Sequence, residues 1–113
     1  MSQVYVTISQ SMIRMPEQVL VNQVLAYLTL KKHYVWRQNT GAMTTKEGRF
    51  IKFGHKGISD VLGVARDGKM IAIECKIKPN KPTQFQVDFL DEIKRRGGYA
   101  VLAYELEDVQ KVL

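Results

Sequence analysis

Two apolar runs, Asp60–Ala65 and Met70–Ile77, are separated only by Arg66-Asp67-Gly68-Lys69. Such runs, joined by so short a glycine-containing segment, predict an antiparallel hairpin. No other feature restricts the fold so tightly, because a hairpin decides which residues face each other. A two-residue Asp67-Gly68 turn pairs Arg66 with Lys69 and sets Asp60 opposite Cys75. A three-residue loop, with Gly68 left-handed in a G1 bulge, pairs Ala65 with Lys69 and sets Asp60 opposite Glu74. A slip of one residue moves every side chain to the other face. The two registers therefore differ in whether two carboxylates meet.

Strand alternation places Glu74 and Lys76 on one side, with Met70 and Ala72. Ile71, Ile73, Cys75 and Ile77 turn the other way and read as core. A strand has little reason to carry Glu and Lys side by side unless that face is wet or functional. In the three-residue register Asp60 joins them. Two carboxylates at that spacing repel unless a divalent cation lies between them. Hard oxygen donors without a Cys or His cluster point to Mg²⁺ or Mn²⁺ rather than zinc.

The rest of the chain supplies a scaffold for this hairpin. Pro16–Lys32 predicts a helix whose apolar stripe is Leu20, Val21, Val24 and Leu28. Pro16 suits a first turn, where no N–H bond is lost, and Glu17 suits the positive end of the helix dipole. His33–Gln38 and Arg49–Phe53 read as strands around a polar loop, Asn39–Gly48, and Gly54–Ser59 is a second loop. Thr83–Arg96 predicts a helix with Thr83 as N-cap, ended by Gly97-Gly98. Tyr99–Tyr104 is a last strand and Glu105–Leu113 a short helix. Residues 1–14, with alternating Val4, Val6 and Ile8, are an N-terminal arm or strand. Residues 15–113 read as one α/β domain, a mixed sheet flanked by helices.

Composition narrows the function. The 113 residues are 45% hydrophobic, with no apolar run long enough for a membrane span. Met1–Arg14 has no apolar core of a secretory signal, and the lone Cys75 excludes an internal disulfide. An intracellular protein is expected. The net charge is +6. The excess lies in residues 31–56, where Lys31, Lys32, Arg37, Lys46, Arg49, Lys52 and Lys56 face only Glu47. So local a basic excess favours a polyanionic partner such as nucleic acid over a merely solvated surface.

Other residues are less specific. Gln86 shares a helix face with Phe89, Leu90 and Ile93, so it turns inward; it is either a core-edge amide bonded to backbone or a neighbour of the Asp/Glu/Lys face. Gln84 shares a face with Asp88 and turns to solvent. His33 and His55 are isolated and read as surface residues. Tyr34 and Trp36 read as packing residues, with base stacking the lesser alternative. Cys75 reads as a small core residue rather than a nucleophile.

Taken in order, Gly57-Ile58-Ser59-Asp60, then Ile73-Glu74-Cys75-Lys76, then Gln86 with Phe89-Leu90 and Gly97-Gly98, resembles a VRR-Nuc domain. This is the virus-type replication–repair branch of the PD-(D/E)XK nucleases. Arg37-Gln38-Asn39-Thr40-Gly41 and Arg49–Gly54 resemble the family segment before the catalytic aspartate. The likeness runs from Glu17 to Tyr104. Ser59 stands where the superfamily has Pro, a position that shapes backbone and holds no metal.

The resemblance implies a restriction-endonuclease-like PD-(D/E)XK core and a metal-dependent DNA endonuclease acting on Holliday-junction or other branched DNA. It implies Asp60, Glu74 and the Cys75 backbone carbonyl as ligands of Mg²⁺ or Mn²⁺. Lys76 is implied to act on the attacking water and the phosphate, Gln86 as the active-site glutamine, and Glu17 as a carboxylate reaching the metal through water. Arg37, Lys46, Arg49, Lys52, Lys56, Lys78 and Lys81 are the expected DNA contacts. As a stand-alone domain the chain resembles the virus-encoded members, which act as homodimers; if it is phage-encoded, the host cytoplasm is its expected place. The alternative is a non-catalytic nucleic-acid-binding module that uses the basic 31–56 segment.

Overall fold

The computed structural model describes residues 15–38, 42–52 and 54–113. The expected arm at 1–14, Asn39–Gly41 and Phe53 lie outside the described residues. In chain order the elements are α1 (Glu17–Leu30), β1 (Tyr34–Arg37), β2 (Ala42–Thr44), β3 (Phe50–Lys52), β4 (Val61–Val64), β5 (Met70–Cys75), α2 (Gln84–Arg95), β6 (Tyr99–Ala103) and α3 (Leu106–Gln110).

The hairpin takes the three-residue form. Val61 faces Ile73, Leu62 faces Ala72 and Val64 faces Met70. The Ala65 amide donates to the Lys69 carbonyl at 2.7 Å, and the Gly68 amide to the Ala65 carbonyl at 2.8 Å. Gly68 has φ +88°, a conformation open to glycine without steric cost. β1 pairs antiparallel with β4, and β6 parallel with β5, in the order β1-β4-β5-β6. A parallel neighbour needs a crossover, and α2 supplies it. Gly63 lets β1 close on β4: a Cβ there would lie 2.2 Å from the Tyr34 carbonyl oxygen.

The sheet is covered unequally. On one face α1 packs Leu20, Val24 and Leu28 against Val61, Ile71, Ile73 and Cys75, with Val109 of α3 completing the cluster. Full burial of each such aliphatic side chain stabilises the fold by about 1.5–3 kcal/mol. On the other face α2 seats Leu90 over Leu62, Ala72 and Ala100. α2 meets β5 and β6, whereas α1 meets β1, β4 and β5.

Three expectations need correction. Within the expected loop Asn39–Gly48, Ala42–Thr44 is a strand that pairs with Phe50–Lys52 as a separate two-stranded sheet; its residues lack the apolar alternation that signals a strand. The Glu74 face is not wet along its length, since Ala72 is fully buried under α2. Tyr34 and Trp36 are not packing residues, being 73% and 41% exposed, because among the described residues no helix covers their side of the sheet at β1.

Candidate active site

The register that pairs Val61 with Ile73 continues one step to Asp60 and Glu74. Ala65 and Lys69 hydrogen-bond as a pair, so alternation makes Asp60 and Glu74 a non-hydrogen-bonded pair, the closer kind for side chains. The Asp60 carboxylate folds onto the neighbouring strand, where Oδ2 accepts from the Cys75 amide at 2.8 Å. An extended residue aims its N–H and C=O at the same edge, so the Cys75 carbonyl also turns toward Asp60. The Cys75 side chain is buried on the opposite face among the α1 residues. Burial there pushes its thiol well above the usual range, which removes it as a nucleophile.

Glu74 is 1% exposed. Gln86 Nε2 donates to its Oε2 at 3.1 Å, and Lys76 Nζ lies 3.8 Å from the same oxygen. The second oxygen, Oε1, is buried without a partner. Burial pushes the Glu74 carboxyl up to about 8, and the adjacent Asp60 carboxylate pushes the same way, against a partial offset from Lys76. Burial beside a second carboxylate favours the protonated form of Glu74 unless a cation takes the proton's place.

Gln86 holds two posts. Its Oε1 accepts from the Thr83 amide at 2.9 Å, while Thr83 Oγ1 accepts from the Gln86 amide at 3.2 Å. This capping box starts α2 and leaves Gln86 Nε2 free to reach Glu74. Of the two readings of Gln86, the core-edge amide and the site neighbour, both hold at once. The sequence signal was Thr-x-x-Gln at a helix start.

Glu17 comes from the other layer. Partial burial raises its pKa, with Lys76 lowering it and Asp60 raising it. It lies within electrostatic reach of the site but makes no direct bond to these residues. Asn22 Oδ1, further along α1, accepts from Arg37 Nη2 at 2.7 Å, which ties α1 to the site end of β1.

The expected DNA contacts do not all gather at the carboxylates. Arg37 turns to the α1 face. Lys46 and Arg49 are exposed between β2 and β3, and the Lys52 side chain lies outside what is described. Lys56 Nζ lies 4.3 Å from the Phe85 ring centre and Lys78 Nζ lies 5.7 Å from that of Tyr104, both cation–π distances. Lys81 is exposed. His55 packs on Phe89 at the loop before Asp60. His33 is more than a surface residue: its Nδ1 accepts from the Arg66 amide at 3.1 Å.

Among the described residues no three His, Cys, Asp or Glu side chains converge as a ready-made metal cage. The donors present still fit a hard divalent cation. They are Asp60, the orphaned Glu74 oxygen and the Cys75 carbonyl, and Mg²⁺ commonly completes its shell with water.

The fold has a counterpart among solved structures. A chain titled "VRR_NUC domain" matches with probability 1.00 and TM-score 0.58 at 18% identity, covering 86% of this chain and 94% of its own. The fold is that of a VRR-Nuc domain. The mixed sheet with its flanking helices is the architecture expected from the motif order. No protein-family model matches the sequence, and no curated protein matches it. Among the described residues no helix is long and apolar enough to cross a membrane.

Proposed function

We propose that this VRR-Nuc-like chain is a metal-dependent nuclease that hydrolyses phosphodiester bonds in DNA. The observation that carries the reading is the buried Glu74, with one oxygen unpartnered, beside Asp60 and Lys76. A structural carboxylate would be expected to have both oxygens satisfied.

Asp60, Glu74 and the Cys75 carbonyl would hold Mg²⁺ or Mn²⁺. Bound there, the ion polarises a phosphoryl oxygen and lowers the pKa of its water. Lys76 holds its ammonium next to Glu74, where it offsets phosphate charge and orients the attacking water. Gln86 fixes one Glu74 oxygen through its amide, which leaves the other as the oxygen that would hold the cation. Glu17 adds negative charge from the first turn of α1 and can orient water at the metal.

The reading extends to branched DNA as substrate and to a two-fold homodimer, which would present two sites to a two-fold junction. The test is incubation of the full chain with labelled single-stranded, flap, nicked and four-way-junction DNA in Mg²⁺, Mn²⁺ or EDTA. The expected result is metal-dependent cleavage, strongest on branched DNA. Binding without cleavage in every metal would replace this reading with the non-catalytic module. Light scattering at micromolar concentration tests the dimer, and a monomer would overturn it.

A further inference from the structure

The half of the sheet face that α2 leaves open carries an aromatic pair in line with the carboxylates. The pairings Tyr34–Val64–Met70 and Trp36–Leu62–Ala72 form successive rows across β1, β4 and β5. The next row is Gln38–Asp60–Glu74, with the Gln38 amide donating to the Asp60 carbonyl at 2.7 Å. Trp36 therefore lies one same-face step, about 7 Å along the strand, from the carboxylate row.

The two rings do not stack on each other. Their centres are 5.6 Å apart and their planes are inclined by 57°, which leaves ring surface free. Trp36 Nε1 donates to Gln38 Oε1 at 3.0 Å. With its one polar atom bonded, Trp36 offers solvent hydrocarbon and π surface in a held orientation.

We propose that Trp36 and Tyr34 are a stacking site for unpaired nucleobases next to the phosphate held at Asp60 and Glu74. The proposal rests on the nuclease reading, in which a cation at Asp60 and Glu74 would hold that phosphate, and adds the class of nucleotide that the site receives. Aromatic side chains take successive bases without sequence preference, and the basic excess of residues 31–56, which include both rings, complements a polyanion. A second copy of the chain fits the patch less well. An aromatic residue buries about 150–250 Å², and Trp36 is already more than half covered. With Val64 and Met70, the patch falls short of the roughly 800 Å² per partner of a stable interface.

Trp36 is the only tryptophan in the chain, so its fluorescence reports on this site alone. The full chain, in EDTA to prevent cleavage, is titrated with oligo(dT), with a flap and with blunt duplex, while DNA anisotropy records binding independently. The expected result is quenching by oligo(dT) and by the flap, and much less by duplex. Trp36→Leu should weaken oligo(dT) binding roughly tenfold and Trp36→Phe far less, with both variants keeping the wild-type melting temperature. DNA bound by anisotropy with no quenching and no loss in Trp36→Leu would overturn the stacking site and leave the nuclease reading intact. Absence of any DNA binding, in EDTA and with Mn²⁺ alike, would overturn both. A Trp36 emission shift on raising protein concentration alone would assign the patch to a second copy.

Discussion

On the proposed nuclease reading, Glu74 is the residue on which most of the chemistry turns. Asp60→Asn or Glu74→Ala should abolish cleavage while DNA binding stays near wild type or tightens, because a charge that repels phosphate is lost. Lys76→Ala should lower turnover strongly with little effect on metal affinity. Turnover assays beside metal titrations separate these outcomes. Stability carries a second signature. The Glu74 carboxyl sits near 8 when folded against an ordinary 4.5. Between those values the folded chain keeps a proton that the unfolded chain has released. Stability is therefore full below pH 4.5 and falls as pH rises toward 8; Glu17, also raised, acts in the same direction. In chelator the melting temperature should drop from pH 5 to pH 8, and Glu74→Gln should flatten that slope. Mn²⁺ added at pH 8 should raise the wild-type melting temperature and leave Glu74→Gln unmoved.

At the scale of elements, the hairpin and α2 were the most legible parts of the sequence. Gly68, the Thr83 cap and the period-2 alternation each act over a few residues, so local rules decide them. The β2 strand was hidden because Ala42-Met43-Thr44 is too short to carry an apolar alternation. The exposure of Trp36 was hidden for another reason: which half of a sheet a helix covers depends on crossover geometry, and an aromatic residue in a strand looks the same covered or bare. Gln86 was legible as inward-facing, but its dual bonding needed the distance between α2 and β5. Glycines test the local rules. A Cβ on Gly68 meets nothing within 4 Å, so Gly68→Ala should cost only the left-handed backbone, about 1–2 kcal/mol. Gly57 has φ +79°, and a Cβ there would lie 2.2 Å from the Phe85 carbonyl oxygen. Gly57→Ala adds about 1–3 kcal/mol of overpacking to the same strain and shifts the loop that carries Asp60. Denaturant melts should rank the two variants in that order, with activity lost only in Gly57→Ala.

For the molecule as a whole, the +6 charge should set how salt governs DNA binding. Neutralising Lys46, Arg49, Lys52 and Lys56 together should weaken binding and flatten the salt slope by up to about 0.9 per lost duplex phosphate contact. An unchanged slope from titrations at several salt concentrations would place the DNA path elsewhere. The order of elements also bears on how the chain acquires its site. Asp60, Glu74, Lys76 and Gln86 all lie on the β4–β5 hairpin and the first turn of α2, so short loop closures bring them together. Glu17 must be recruited across the whole of β1 to β3. Closing a longer loop costs more chain entropy and slows the step that needs it. In pulse-labelled refolding, the amides of β4 and β5 should gain protection before those of α1, so that the carboxylate pair assembles first and the first-helix glutamate docks onto it last.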